Sequence, residues 1–319
     1  MTKSFLFSTA AVLATVTAAS AADLPSKKAA PVDYVKVCKV GDIAGFVIPG
    51  TDTCLKVGGF VRFQVDGIKT FAKNQNLTSY NAVGAIKLTA ASQTDLGLLL
   101  AQFEIDGQST GGTVLDSAKL ALGGFAAGYF GSAYKFYDGG FGVGSTWSPG
   151  GAGNKPVQLQ YAFLAGPATF TVALEDPSKQ VSTALAPGGY AGARVPDVVA
   201  AIDANVGIAT LHLGTVAHQM TNATGGVDGK WGYAVLGGVK AAFTPADTLY
   251  LESAYASGAI TRLEGVATTV NGNAVTIGTD YVIDGTSIKP ITGYYFLGAY
   301  QHAWAPNFST FVSASYTVY

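Results

Sequence analysis

The sequence predicts a transmembrane antiparallel β-barrel, and three observations carry that prediction. Charged residues make up only 12% of the 319-residue chain while apolar residues make up 49%, about half the charged share of an ordinary soluble domain. The apolarity is dispersed in short alternating segments rich in Gly, Tyr and Phe, as in membrane strands. After the first 21 residues, no apolar run is long enough for a membrane helix; runs such as Leu96 to Ala101 are strand-sized.

The elements follow in chain order. "MTKSFLFSTAAVLATVTAASA" has a basic residue, a short apolar core and Ala19-Ser20-Ala21. This reads as a secretory signal peptide over 1–21, cut after Ala21. The core is too short to span ~30 Å of hydrocarbon as a helix. Residues 22–54 are Pro-rich, carry Lys27 and Lys28, lack sustained periodicity and end on the second of two cysteines. An exported chain with only Cys38 and Cys54 is most simply bridged once. This segment is expected to be tied down by the disulfide and to lie outside the barrel wall.

Strand signals begin with "CLKVGGFVRFQVDG". Leu55, Val57, Gly59, Val61, Phe63 and Val65 share one parity; Lys56, Arg62, Gln64 and Asp66 share the other. Candidates lie near 55–66, 79–90, 94–106, 113–123, 124–131, 157–163, 168–175, 197–205, 206–219, 231–243, 247–257, 293–304 and 308–319. Many reach the ~9–11 residues of a tilted membrane strand. "LLLAQFEID" sets Leu99, Ala101, Phe103 and Ile105 against Gln102, Glu104 and Asp106. "WGYAVLGGVKAAF" sets Trp231, Tyr233, Val235, Val239 and Phe243 against Lys240, with aromatics near both ends of the apolar face. A soluble sandwich also alternates, but it would expose more charge than this chain owns. The apolar faces are therefore expected to meet lipid and the charged faces a water-filled lumen, since facing charges in a dry core are costly.

Other function classes find little support. The net charge of −1 offers no basic surface for nucleic acid. His212 and His218 share a strand face but stand roughly 20 Å apart, too far to hold one metal. "GVGSTW" lacks the pattern of a nucleophile elbow, and "GGFGVG" lacks the flanking strand and helix of a nucleotide site. No enzyme, metal or cofactor is expected. A secreted β-fold adhesin is the remaining rival outside the channel class.

"AADLPSKKAAPVDYVKVC", "IPGTDTCLKVGGFVR", "ALEDPS", "RVPDVVA" and "WGYAVLGGVK", in this order, resemble the general-diffusion porins of alphaproteobacterial outer membranes. The resemblance runs from the cleavage site to about Ser315. It implies a sixteen-stranded barrel assembled as a homotrimer, seated among membrane lipid and lipopolysaccharide. Such a barrel passes small hydrophilic solutes and ions passively. A substrate-selective channel is the nearest alternative.

The resemblance also implies an inward-folded constriction loop over "YKFYDGGFGVGSTWSPGGAGNKP", residues 134–156. A Gly-rich stretch of this length without strand periodicity is commonly functional. Acids on it facing bases on the wall would set a transverse field that biases ion passage. The pore residues expected are Arg62, Lys87, Glu104, Lys135, Tyr137 and Asp138, with Asp138 as the loop acid. The sequence shows 13 strand candidates where a closed barrel of this kind needs an even number. Tyr319 has the lumen parity rather than the lipid parity of Val312, Ala314, Tyr316 and Val318. The sequence alone thus suggests a shortened, non-functional porin as a further alternative.

Overall fold

Period-two polarity becomes strands throughout the protein, as seen in a computed structural model. It describes residues 35–67, 78–136, 155–179, 189–263, 267–270, 273–276 and 279–319. The signal-peptide expectation, Tyr137 and Asp138 lie outside them. Val37–Tyr319 form one compact unit.

The strands are β1(Val37–Val40), β2(Ile43–Val47), β3(Cys54–Gly67), β4(Thr78–Thr94), β5(Gly97–Gln108) and β6(Thr113–Leu122). There follow β7(Phe125–Tyr129), β8(Val157–Ala165), β9(Ala168–Glu175), β10(Asp197–Val206), β11(Ala209–Met220), β12(Lys230–Ala242) and β13(Asp247–Ser257). Two small hairpins, β14(Ala267–Val270) with β15(Asn273–Thr276) and β16(Tyr281–Asp284) with β17(Ser287–Pro290), precede β18(Thr292–Ala305) and β19(Phe308–Val318).

Among the described residues, β1 to β13, β18 and β19 form one 15-stranded sheet in chain order. Consecutive strands pair antiparallel, as in Val235↔Tyr255 and Tyr255↔Tyr294. Each strand read from the sequence is present, as β3 to β13, β18 and β19. The sheet starts earlier than expected, because the disulfide-tied segment holds the β1–β2 hairpin, joined to β3 through Phe46↔Leu55 and Val47↔Cys54. Strands of four and five residues hold only about two repeats of the alternation, too few to stand out from their surroundings. Among the described residues, no ladder pairs β1 or β19 on its outer side.

The two ends of the sheet differ. At one end the connections include 95–96, 123–124, 166–167, 207–208, 243–246 and 306–307; at the other they include 130–156, 176–196 and 258–291. Tight turns at one end and long loops at the other are the two ends of an outer-membrane barrel. Gly123 (φ 57°) and Gly207 (φ 59°) open two of the tight turns in a backbone region that glycine alone enters freely.

The faces are inverted relative to a soluble sheet. Val61 is 88% exposed and Phe63 70%. On β12, exposed Trp231, Tyr233, Val235 and Val239 alternate with buried Ala234, Leu236 and Gly238. A continuous exposed apolar face of this extent requires a nonaqueous neighbour. The opposite face carries the core: Tyr134, Val199, Leu236, Tyr250, Ile260, Leu263, Tyr295 and Leu297 pack together with Tyr319 at their margin. The lumen parity of Tyr319 is therefore correct. At the loop end, Tyr281 and Ile288 of the β16–β17 hairpin pack on Met220. The Tyr281 hydroxyl donates to the Thr221 carbonyl at 2.6 Å, and burial pushes its phenol up.

Cys38 and Cys54 are bonded, linking β1 to the start of β3 across a sequence separation of 16. Closing a loop of this size stabilises by roughly 3 kcal/mol in the chain-entropy model. Cys38→Ser with Cys54→Ser should lower the unfolding free energy by about that amount. Non-reduced mass spectrometry of the unmodified protein should show no alkylatable thiol; two would refute the assignment.

Candidate pore and constriction

Of the charged side chains expected to line the pore, Arg62, Lys87 and Glu104 fall on β3, β4 and β5, on the face opposite the exposed apolar one. The ladder sets Lys87 opposite Glu104, and Lys87 Nζ lies 3.2 Å from Glu104 Oε2. The next rung along β5 sets Gln102 opposite Lys119, whose Nζ sits 4.9 Å over the Phe130 ring. Arg62 is exposed on β3 with its guanidinium 5.8 Å over the ring of Phe60, which shares its parity. Arg62, Lys87 and Lys119 thus lie on neighbouring strands of one wall, with Glu104 among them. Lys119 and Phe60 have the right parity in the sequence but gave no chemical signal there.

After β7 the chain turns inward. Gln158 Nε2 donates to the carbonyls of Phe130 and Gly131 at 2.8 and 3.0 Å, fixing the bend. Ser132 Oγ donates to Glu175 Oε1 at 2.5 Å and accepts from the Tyr134 amide at 3.1 Å. His212 of β11 places Nε2 3.2 Å from the Tyr134 carbonyl and Nδ1 2.8 Å from Asp203. Phe136 stacks on the His212 ring at 5.0 Å and meets Tyr250 at 5.0 Å.

Two inward glycines make room for this. A Cβ on Gly214 would come 2.7 Å from the Tyr134 carbonyl oxygen, and one on Gly238 2.2 Å from the Phe136 ring. At the other end of the segment, Lys155 Nζ bonds Asp116 of β6 through Oδ2 at 2.6 Å and through its carbonyl at 3.1 Å. Phe136 is thus packed against β11 and β13, and Lys155 is bonded to β6. Lys135 lies within the inward turn, half-buried.

A charged cluster beside this turn went unread in the sequence. The β9–β10 ladder sets Glu175 directly opposite Asp197, both fully buried. Like charges placed so are destabilising without a cation. Arg262, in the 3-10 turn Ile260–Arg262 after β13, supplies it: Nη1 reaches Glu175 at 2.8 Å and Nη2 reaches Asp197 at 2.6 Å. His218 Nδ1 completes Asp197 at 2.8 Å. The need for a cation becomes visible only once the β9–β10 register is known, so no local sequence signal could have named Arg262.

A groove of about 830 Å³ opens on the outer apolar face, walled mainly by Leu211, Val239, Leu251, Phe296 and Tyr316. An antiparallel sheet with tight turns at one end, an apolar outer face and charged side chains on the other face is the wall architecture of an outer-membrane β-barrel. The chain belongs to the porin subfamily, which matches residues 23–319.

It is similar to outer membrane protein IIIA of Rhizobium leguminosarum bv. viciae, 33% identical over 237 residues that cover 70% of this chain and 61% of that protein. It is also similar to porin Omp2b of Brucella suis biovar 1, 29% identical over 284 residues that cover 81% of this chain and 74% of that protein. The match thus spans less than two thirds of the Rhizobium protein's length. In fold it resembles the outer membrane channel DcaP of Acinetobacter baumannii, with a TM-score of 0.71 at 17% identity, covering 86% of this chain and 82% of that one.

Proposed function

We propose that the chain forms a water-filled pore for passive diffusion of small hydrophilic solutes and ions across the bacterial outer membrane. The observation that carries this reading is the inverted polarity of the sheet. Its exterior is apolar, while its interior bears Arg62, Lys87 and Lys119 on the wall that also anchors Lys155. Residues 134–156 narrow the pore, with Lys135, Tyr137 and Asp138 at the constriction and Asp138 as the acid facing the basic wall. The chain is exported by way of residues 1–21, which are then cleaved, and works without cofactor among lipid and lipopolysaccharide. Homotrimer assembly is supported by the outer face of β4 to β7, where Ala90, Ala101, Ala118 and Ala127 leave a shallow apolar surface. Heat-modifiable migration of an oligomer on gels tests that assembly.

Charge on the lumen wall biases which ions pass, while lumen substitutions disturb folding little. Lys87→Glu should therefore shift the reversal potential in planar bilayers toward cation preference, and Arg62→Asp should shift it the same way. Both variants should insert like the unmodified protein. An unmodified chain that inserts but carries no current would overturn the pore reading.

A further inference from the structure

We propose that Arg262 is a positioning residue that latches two separate inward segments together, so that one ionic cluster sets the width of the lumen at this level. The proposal rests on the pore reading above. Glu175 is the shared acceptor. One oxygen takes Ser132 Oγ from the segment after β7, and the other takes Arg262 Nη1 from the segment after β13.

Asp197 takes Arg262 Nη2 and His218 Nδ1, fixing the same guanidinium to the wall. The Arg262 guanidinium also lies 6.0 Å over the Tyr134 ring, which belongs to the first segment. The latch is dry: the side chains of Arg262, Glu175 and Asp197 are 1%, 0% and 0% exposed.

The segment it holds fills space inside the barrel. Ala259, Ile260 and Leu263 are buried in the cluster that includes Tyr134, Tyr250 and Tyr295. Gly293 leaves room for Leu263, whose Cδ1 would lie 2.8 Å from a Cβ at that position. The Ile260 amide donates to Asp280 Oδ1 at 2.6 Å, a tie to its own loop rather than to the wall. Arg262 is thus the charged link from this segment to β9 and β10. A guanidinium presents two nitrogens in a fixed fork, which an ammonium cannot. Without it, Glu175 and Asp197 lose their shared cation and keep only Ser132 and His218, and the least costly remedy is to let the segment leave and water enter.

The test uses the full chain, whose two native cysteines are bonded to each other, with a reporter thiol introduced by Leu263→Cys. In lipid, the reporter thiol should resist a small water-soluble thiol reagent. Adding Arg262→Met should make it react, and should raise single-channel conductance while heat-modifiable migration persists. Arg262→Lys should give intermediate reactivity, and it decides the matter alone if the Met variant is not recovered folded. Unchanged protection in folded Arg262→Met, or full protection in Arg262→Lys where the Met variant is not recovered, would overturn the latch. Absence of current from the unmodified chain would instead strike the pore reading, while thiol protection would still report on the latch.

Discussion

Asp197→Ala should lower the unfolding free energy by about 3–5 kcal/mol, the scale for breaking a buried ion pair from one side. Asp197 stands on β10, so it cannot leave with a loop, and it accepts bonds from both Arg262 and His218. Removing it strips Arg262 of one carboxylate and leaves His218 Nδ1 without its acceptor, in a site closed to water. The matched control is Lys87→Ala. Its pair with Glu104 has the lysine side chain 44% exposed, and such pairs contribute about 0–1 kcal/mol. Urea titration of the two variants in lipid should separate them clearly. Equal small losses would mean that the Arg262 cluster is wet.

Val235→Arg should cost about 2–4 kcal/mol, the scale for a basic residue on the lipid face near the bilayer midplane. Val235 lies near the middle of β12 on the exposed apolar face, between Tyr233 and Val239 on the same parity. Its neighbours across the ladder, Thr215 and Tyr255, offer no carboxylate to pair with. The same Arg at Trp231, beside the end of the strand, should cost about 0–1 kcal/mol, because cost falls toward the interface. A flat profile across the strand would contradict a membrane environment.

The strands were legible because lipid on one side and water on the other enforce strict alternation, and the opening strand shows it in the contrast of Val61 with Arg62. The disulfide was legible from two thiols in an exported chain. What escaped were elements too short to show sustained alternation. The β1–β2 hairpin is one. The β16–β17 hairpin is another, although Gly285 (φ 62°) at its turn carries a local signal.

Parity sufficed to place Arg62, Lys87 and Glu104 on the inner face, because each sits within a long strand. The cluster of Glu175, Asp197, His218 and Arg262 did not emerge, because its members come from separate strands and a loop. Their meeting depends on register and on a loop's path, neither of which alternation encodes. The glycines that admit Tyr134 and Phe136 were invisible for the same reason: Gly214 and Gly238 look like ordinary strand glycines until the inward turn is placed over them.

The central claim is that the apolar face meets hydrocarbon and the charged face meets water. Paired tryptophan reporters test it most directly, in a background with Trp147, Trp231 and Trp304 replaced by Phe. Val235→Trp should be quenched by lipids brominated on their acyl chains and spared by an aqueous quencher. Lys87→Trp should be spared by the brominated lipids and quenched from the aqueous phase. The reverse pattern, or equal quenching of both reporters from the aqueous side, would contradict the account.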